Sequence, residues 1–285
     1  MIGNYPDLTE IELADRPLLE PLFRELRDGV SELTFAGIYC FRGLHNYRVA
    51  RLADGTIVLA GSDKGKCFFI CPLVLPRREL LDELFARCTC MKLATTTQAE
   101  WLRTAGYQVT EDRDNFDYLY RREPLASLAG RALQKKRNLV HHFQRENVSR
   151  TEPLSPERTP DALAILEAWR ESTRDQADYA PARAALLHAQ EFGLQGRITY
   201  VGDRPVGYAQ GEPAGRSGMY IVHYEKTVPD MKGLYQFINL DFVRALPPEF
   251  TLINREQDLG DPGLRQAKMT YRPCGYVEKY RARRA

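Results

Sequence analysis

The stretch Phe250-Thr251-Leu252-Ile253-Asn254-Arg255-Glu256-Gln257-Asp258-Leu259-Gly260-Asp261-Pro262-Gly263-Leu264-Arg265 changes character part-way along. The apolar segment from Phe250 to Ile253 suits a strand. An amide, a guanidinium, two acids and a glycine follow, and then Asp261 and Pro262 stand where a helix cap and first turn belong. A strand running through a polar junction into a helix is the grammar of a mixed α and β fold, and polar groups concentrated there are what a site needs. The same residues also suit a satisfied polar turn that holds a buried corner.

Working outward, Met219 to Glu225 alternates as a strand, Gly233 to Leu246 is an apolar helix, Pro262 to Tyr271 a short helix and Gly275 to Tyr280 a final strand. Upstream, Val148 to Leu154 is strand-like and Asp161 to Thr173 and Pro181 to Phe192 are helical. Ile198 to Val201 and Val206 to Glu212 begin a meander turned at Gly202-Asp203-Arg204-Pro205. The first half runs similarly: Leu8 to Leu13 a strand, Arg16 to Arg27 a helix, then strands at Ile38 to Phe41, Tyr47 to Leu52, Ile57 to Ala60 and Cys67 to Val74. Arg77 to Ala86 follows as a helix, Met91 to Ala94 as a strand and Thr97 to Ala105 as a helix, with Tyr107 to Thr110 and Phe116 to Tyr120 pairing as closing strands. Each half thus reads strand, helical region, meander, helix, strand, short helix, closing strand. That order is the one found in GNAT-type acyltransferases. The expected fold is of the α+β or α/β class, with two tandem GNAT-like domains, each a mixed, mostly antiparallel sheet flanked by helices. Residues 1–123 form a degenerate, structural domain, 124–147 a basic linker helix, and 148–285 the domain that carries the site.

The 285 residues exceed the usual single-domain length, which supports two domains. Hydrophobic residues at 44% and charged residues at 27% are ordinary for a globular chain, and a net charge of +2 excludes a chain-wide nucleic-acid polyelectrolyte binder. No run of about 18 apolar residues is present, and the first residues lack an apolar core behind a basic start; the expectation is a soluble, cytoplasmic protein. Cys40, Cys67, Cys71, Cys88, Cys90 and Cys274 lack the dense spacing of a disulfide scaffold and match no zinc knuckle, so reduced thiols and no metal are expected.

The two halves differ where function would lie. A helix start offers unpaired amides and partial positive charge to phosphates, and the second half has Met231-Lys232-Gly233-Leu234-Tyr235 there, whereas the first has Pro72-Leu73-Val74-Leu75-Pro76. Alternation puts Met219, Ile221, His223 and Glu225 on one strand face. Glu225, at the strand's end, is a candidate base for an attacking amine; it equally suits pairing with Lys226 or Arg255. Tyr235 and Asn239 are polar tips on an apolar helix. Arg265, Lys268 and Arg272 line one helix side. From Arg131 to Arg150 six basic residues meet one acid, and Lys136 falls within the apolar face of that predicted helix, to snorkel or to meet an anion.

Taken in order, Lys135-Lys136-Arg137-Asn138, His141 and Phe143, Glu225-Lys226, Lys232-Gly233 with Tyr235-Gln236 and Asn239, Asn254-Arg255-Glu256-x-Asp258-Leu259-Gly260, Gly263-Leu264-Arg265, Ala267-Lys268 and Tyr271-x-Pro273 resemble the C-terminal domain of bacterial phosphatidylglycerol lysyltransferases and its soluble relatives. The resemblance covers Phe116 to the C-terminus well and the first hundred residues weakly. It implies a tandem GNAT fold related to Fem-type aminoacyltransferases and transfer of an acyl or aminoacyl group from a carrier to an amine or hydroxyl. The donor substrate would be aminoacyl-tRNA or a coenzyme A thioester, with no tightly bound cofactor. The acceptor would be a small molecule, a peptide or a lipid headgroup. Two features depart from the pattern: no membrane portion is legible, and the glycine-rich donor loop of coenzyme A enzymes is reduced to Lys232-Gly233.

On this reading Glu225 or Glu256 is the general base and Tyr271 a proton donor. Lys136, Arg137, Lys232, Gly233, Arg265 and Lys268 meet donor phosphates, and Asn138, Tyr235, Asn239, Asn254, Arg255 and Asp258 shape the acceptor pocket. Two rival readings stay open: a coenzyme A-dependent N-acetyltransferase, and a non-catalytic module that binds RNA or another anion through the basic helix.

Overall fold

The computed structural model describes residues 2–173 and 176–284. In chain order its elements are β1 (Gly3–Asn4), β2 (Thr9–Glu10), α1 (Arg16–Arg24), α2 (Phe35–His45), β3 (Arg48–Arg51), β4 (Ile57–Asp63), β5 (Lys66–Ile70), α3 (Arg78–Arg87), β6 (Cys90–Ala94), α4 (Thr96–Thr104), β7 (Gln108–Glu111), β8 (Asp117–Arg121), α5 (Arg122–Ser127), α6 (Gln134–Glu146) and β9 (Ser149–Pro153). There follow α7 (Thr159–Ser172), α8 (Tyr179–Leu187), α9 (Ala189–Phe192), β10 (Gln195–Val201), β11 (Arg204–Pro213), β12 (Met219–Thr227), α10 (Leu234–Ala245), β13 (Leu252–Asn254), α11 (Pro262–Met269), β14 (Gly275–Val277) and β15 (Tyr280–Arg283).

Two mixed sheets with flanking helices result, the tandem GNAT-like arrangement. The first has the order β1-β3-β4-β5-β6-β15-β7, with β2 also on β3; the second runs β14-β8-β13-β12-β11-β10-β9. Within each, a three-strand antiparallel meander leads into a helix and back to a parallel strand: β5 with β6, and β12 with β13. One compact unit holds residues 1–117, 214–217 and 277–285; the other holds 118–213 and 218–276.

The closing strands depart from expectation. Phe116 to Tyr120 does not pair with Tyr107 to Thr110. Instead β8 lies antiparallel to β13 in the second sheet, while β15 from the C-terminus inserts between β6 and β7 of the first. Gly275 to Tyr280, read as one strand, splits into β14 and β15 and serves both sheets. Side-chain chemistry at the exchange explains the destination. Lys279, fully buried, donates to Asp117 Oδ1 at 2.6 Å and Glu32 Oε2 at 2.5 Å, and the Ser31 hydroxyl donates to Asp117 at 2.8 Å. A buried ammonium needs such partners. Burial pushes the Glu32 carboxyl up to about 7, against the pull of Lys279.

Three further expectations change. Ile38 to Phe41 lies inside α2, not in a strand: Thr34 caps the helix by accepting from Gly37 N at 2.9 Å, and the segment is apolar on most sides because it is buried on most sides. The predicted basic linker helix over 124–147 is interrupted after α5 ends at Ser127. A short 3-10 turn over Arg131–Leu133 precedes α6, which packs on α10 within the second unit through Phe143 and Phe237, 4.8 Å apart. Cys67 and Cys88 are not free thiols but a disulfide joining β5 to the end of α3; proximity across the βα crossover, invisible in their spacing, brings them together.

Candidate active site

The second sheet opens at β12. Its parallel pairing with β13 covers Met219 to Ile221 against Leu252 to Asn254, and β12 then continues to Thr227 beside a partner that has ended. In the first sheet, β5 stops at Ile70, one residue past its last pairing with β6. The apolar strand residues of β13 give way to Asn254 and Arg255 where the strands part, so the polar junction of the sequence sits at the opening.

A bulge shapes the same place. Opposite β11, Gln210 pairs with Tyr224 but Gly211 pairs with Val222, which leaves His223 as the extra residue. The bulge reverses the alternation expected for this strand. Glu225 shares a face with Val222 and Tyr220, toward α10, rather than with Ile221 and Met219. Gly211 permits the crossing, since a Cβ there would stand 2.0 Å from the Ile221 carbonyl oxygen.

Five of the candidate residues converge here. Glu225 Oε1 accepts from Asn239 Nδ2 of α10 at 2.8 Å, and its Oε2 accepts from Arg255 Nη2 at 2.5 Å. The guanidinium thus spans the gap that the backbone ladder leaves. Arg255 Cζ lies 4.7 Å from the centre of the Tyr271 ring and 5.9 Å from that of Tyr120. Lys136 of α6 brings its ammonium to 4.4 Å from the Tyr271 ring centre. Burial, reinforced by the Arg255 charge, lowers the Lys136 pKa; burial raises that of Tyr271, against Arg255, so its phenol stays protonated at neutral pH. Two buried polar atoms of the group, Arg255 Nε and Asn239 Oδ1, have no hydrogen-bond partner.

The other candidates are held differently. Glu256 sits at φ 56°, an uncommon conformation for a side-chain-bearing residue, its amide bonded to Asn254 Oδ1 at 2.8 Å. Its carboxylate lies 2.7 Å from His223 Nδ1, and Glu212 lies 3.0 Å from Nε2. Burial alone would lower the imidazole, yet the two carboxylates outweigh it and push His223 up to about 10. Asp258 is fully buried and accepts two bonds from Arg265 at 2.8 Å, one from the Tyr118 hydroxyl at 2.6 Å and one from Gly260 N at 2.9 Å. Lys268 Nζ donates to the Arg255 carbonyl, and Arg137 to the carbonyls of Leu128 and Gly130. Asn138 and Lys232 are exposed, and Tyr235 is 43% exposed. Gly233 caps α10 at φ 88°, where a Cβ would stand 2.0 Å from the Leu139 carbonyl oxygen; its close approach is to α6 of the same chain.

The sequence gives no signal for Tyr120 at the site or for the partners of Lys226 on the far face of β12. There Lys226 donates to Asp178 at 2.5 Å and lies 3.5 Å from the Trp169 ring centre. Lys226 was a candidate partner for Glu225; the strand's alternation sends it to the opposite face, and Arg255 takes that place.

The sequence model of the family described as phosphatidylglycerol lysyltransferase, C-terminal, matches residues 23–283. The chain belongs to this family. Among solved structures, a conserved protein of unknown function from Bacteroides thetaiotaomicron is 27% identical, with a TM-score of 0.87 over the whole of both chains. L-PGS from Bacillus licheniformis is 14% identical with a TM-score of 0.67, covering 100% of this chain and 94% of that one, and FemX is 10% identical with a TM-score of 0.58, covering 96% of each. These two likenesses extend over both sheets and establish the fold. An uncharacterised protein of Mycoplasmoides gallisepticum is 22% identical over 194 residues, 65% of this chain and 62% of its own length. Among the described residues no helix is long and apolar enough to cross a membrane, and no group of His, Cys, Asp and Glu has the arrangement of a metal site.

Proposed function

We propose that the second unit transfers an acyl or aminoacyl group from a carrier to an amine or hydroxyl at the opening between β12 and β13. The observation that carries this reading is the set Glu225, Arg255, Tyr271 and Asn239 of α10, gathered where the parallel ladder stops. Aminolysis requires a base near the acyl carbon, because an ammonium must lose a proton before it attacks. Glu225 fills that role, and Asn239 holds the carboxylate's second oxygen in place. Tyr271, kept protonated by burial, returns a proton to the leaving oxygen or sulfur. The first turn of α10 leaves the amides of Tyr235 and Gln236 without acceptors inside the helix, which suits an oxyanion or a donor phosphate. Lys136 and the exposed Lys232 supply countercharge. Glu256 serves less well as the base, because its carboxylate is bonded to a protonated His223.

Membership of a lysyltransferase family makes lysyl-tRNA the first donor to test and a phosphatidylglycerol headgroup the first acceptor, with coenzyme A thioesters the alternative donor. Calorimetric titration of the purified chain with uncharged tRNA, a non-hydrolysable aminoacyl-tRNA analogue and coenzyme A tests the reading. Binding of a carrier that weakens on Arg255→Lys supports it. Absence of binding by every carrier overturns it.

A further inference from the structure

We infer that the opening between β12 and β13 binds a phosphate group of the substrate, and that this anion takes Arg255 away from Glu225, so that the base is freed only when substrate is in place. The inference rests on the transfer reading and names how the same site would be triggered.

Unmet hydrogen-bonding capacity on the two sides of Glu225 leads to it. On one side, Arg255 offers a buried Nε with no partner, and Lys136, half-buried, has no hydrogen-bond or ion-pair partner among the described residues beyond the face of Tyr271. Arg255 pairs with Glu225 and Lys136 does not, yet both cations lie against the Tyr271 ring and the Arg255 charge is felt at Lys136. Buried donors without acceptors are costly and are retained where a ligand completes them. On the other side, the unpartnered atom is an acceptor, Asn239 Oδ1. Anion-seeking groups therefore lie toward Arg255, and a group seeking an N–H or O–H lies toward Asn239, with one oxygen of Glu225 directed to each.

A phosphate suits the first side better than a carboxylate. Arg255 Nε and Nη2 and Lys136 Nζ make three donors on two side chains, matching an anion that presents three oxygens, and an arginine fork with a lysine point charge is a recurring phosphate arrangement. Once Arg255 has turned to the phosphate, Glu225 keeps only the Asn239 bond. It then accepts the proton of the attacking amine, whose N–H is oriented by Asn239 Oδ1. The new bond forms from that nitrogen to the acyl carbon, the carrier's oxygen or sulfur departs with the Tyr271 proton, and Glu225 returns its proton to Tyr271 through solvent. As found, with Arg255 on Glu225, the base is masked, which protects an activated acyl group from attack by water before the phosphate is seated.

Titration calorimetry with inorganic phosphate, adenosine monophosphate and glycerol 1-phosphate on the wild-type chain, Glu225→Gln and Lys136→Met tests this. Methionine keeps the lysine stem packed on Tyr271, and glutamine keeps the shape of Glu225, so both variants should fold; thermal unfolding checks each. Lys136→Met should weaken phosphate binding by about tenfold. Glu225→Gln should tighten it severalfold, because the internal competitor for Arg255 is gone. A Glu225 that only orients Arg255 gives the opposite sign. Unchanged or weakened binding in Glu225→Gln overturns the inference, as does unchanged binding in Lys136→Met. Stronger binding of the nucleotide assigns the phosphate to the donor, and stronger binding of glycerol phosphate assigns it to the acceptor. Phosphate binding without any group transfer would remove the transfer reading and leave the anion site; transfer without phosphate binding would do the reverse.

Discussion

Raising the pH from 7 to 8.5 should destabilise this protein through one imidazole. His223 is buried between Glu212 and Glu256, and its pKa is about 10 in the folded chain against 6.5 when exposed. Between those values the folded chain holds a proton that the unfolded chain lacks. Stability from this group is therefore complete below about pH 6.5 and is lost as pH rises toward 10, at about 1.4 kcal/mol per pH unit. From pH 7 to 8.5 the loss is roughly 2 kcal/mol. Glu32, also raised, contributes in the same direction, but its window runs from 4.5 to about 7, so only its tail falls within this range and it is common to both chains. Urea unfolding of the wild-type chain and of His223→Gln at pH 7, 7.75 and 8.5 separates the imidazole from all other groups, since only the difference in slope is read. The variant should be less stable at pH 7 by roughly 2–4 kcal/mol, having left two partly buried carboxylates without a cation, and the gap should narrow as pH rises. Parallel pH dependences would refute the claim that His223 is a buried cation and reopen Glu256 as the base.

Other consequences follow from single contacts. Gly233→Ala should destabilise by about 2 kcal/mol or more, because the new Cβ meets the Leu139 carbonyl and the backbone sits at φ 88°; denaturant midpoints check this, and a neutral effect would show that α6 moves freely off α10. Lys279→Met should cost roughly 3–5 kcal/mol by leaving Asp117 and Glu32 buried without their cation, and hydrogen exchange should show β15 opening first. Asp258→Asn should cost about 2–3 kcal/mol, since a buried carboxylate accepting four bonds becomes an amide that cannot accept them all, and thermal unfolding reads it directly.

Much of the architecture was legible because local pattern and tertiary role agree. The meander of the second half, the helix after Gly233 and the cap at Asp261 each have a strong local signature. Phe35 to His45 misled because a helix buried on most sides loses its periodicity, and a short apolar run then reads as a strand. The strand exchange was beyond local reading: β8 and β15 look like closing strands of their own halves, and only the buried partners of Lys279 say otherwise. At the site, Glu225, Arg255, Tyr271, Asn239 and Lys136 were nameable from the polar junction and the resemblance. The bulge at His223, which fixes the side of the sheet Glu225 serves, depends on the register against β11 and has no signature within β12 itself. Arg265 reads as a phosphate contact and Asp258 as part of the acceptor pocket, and only the fold shows that the two bond to each other.

Single-turnover transfer of a labelled acyl or aminoacyl group from its carrier to an amine or hydroxyl acceptor tests the central claim most directly, with the wild-type chain compared with Glu225→Gln. The account predicts transfer by the wild-type chain and a loss of about a hundredfold or more in the variant, which thermal unfolding shows to be folded at the assay temperature. Transfer at the wild-type rate by Glu225→Gln, or none by the wild-type chain from any aminoacyl-tRNA or coenzyme A thioester, would contradict it.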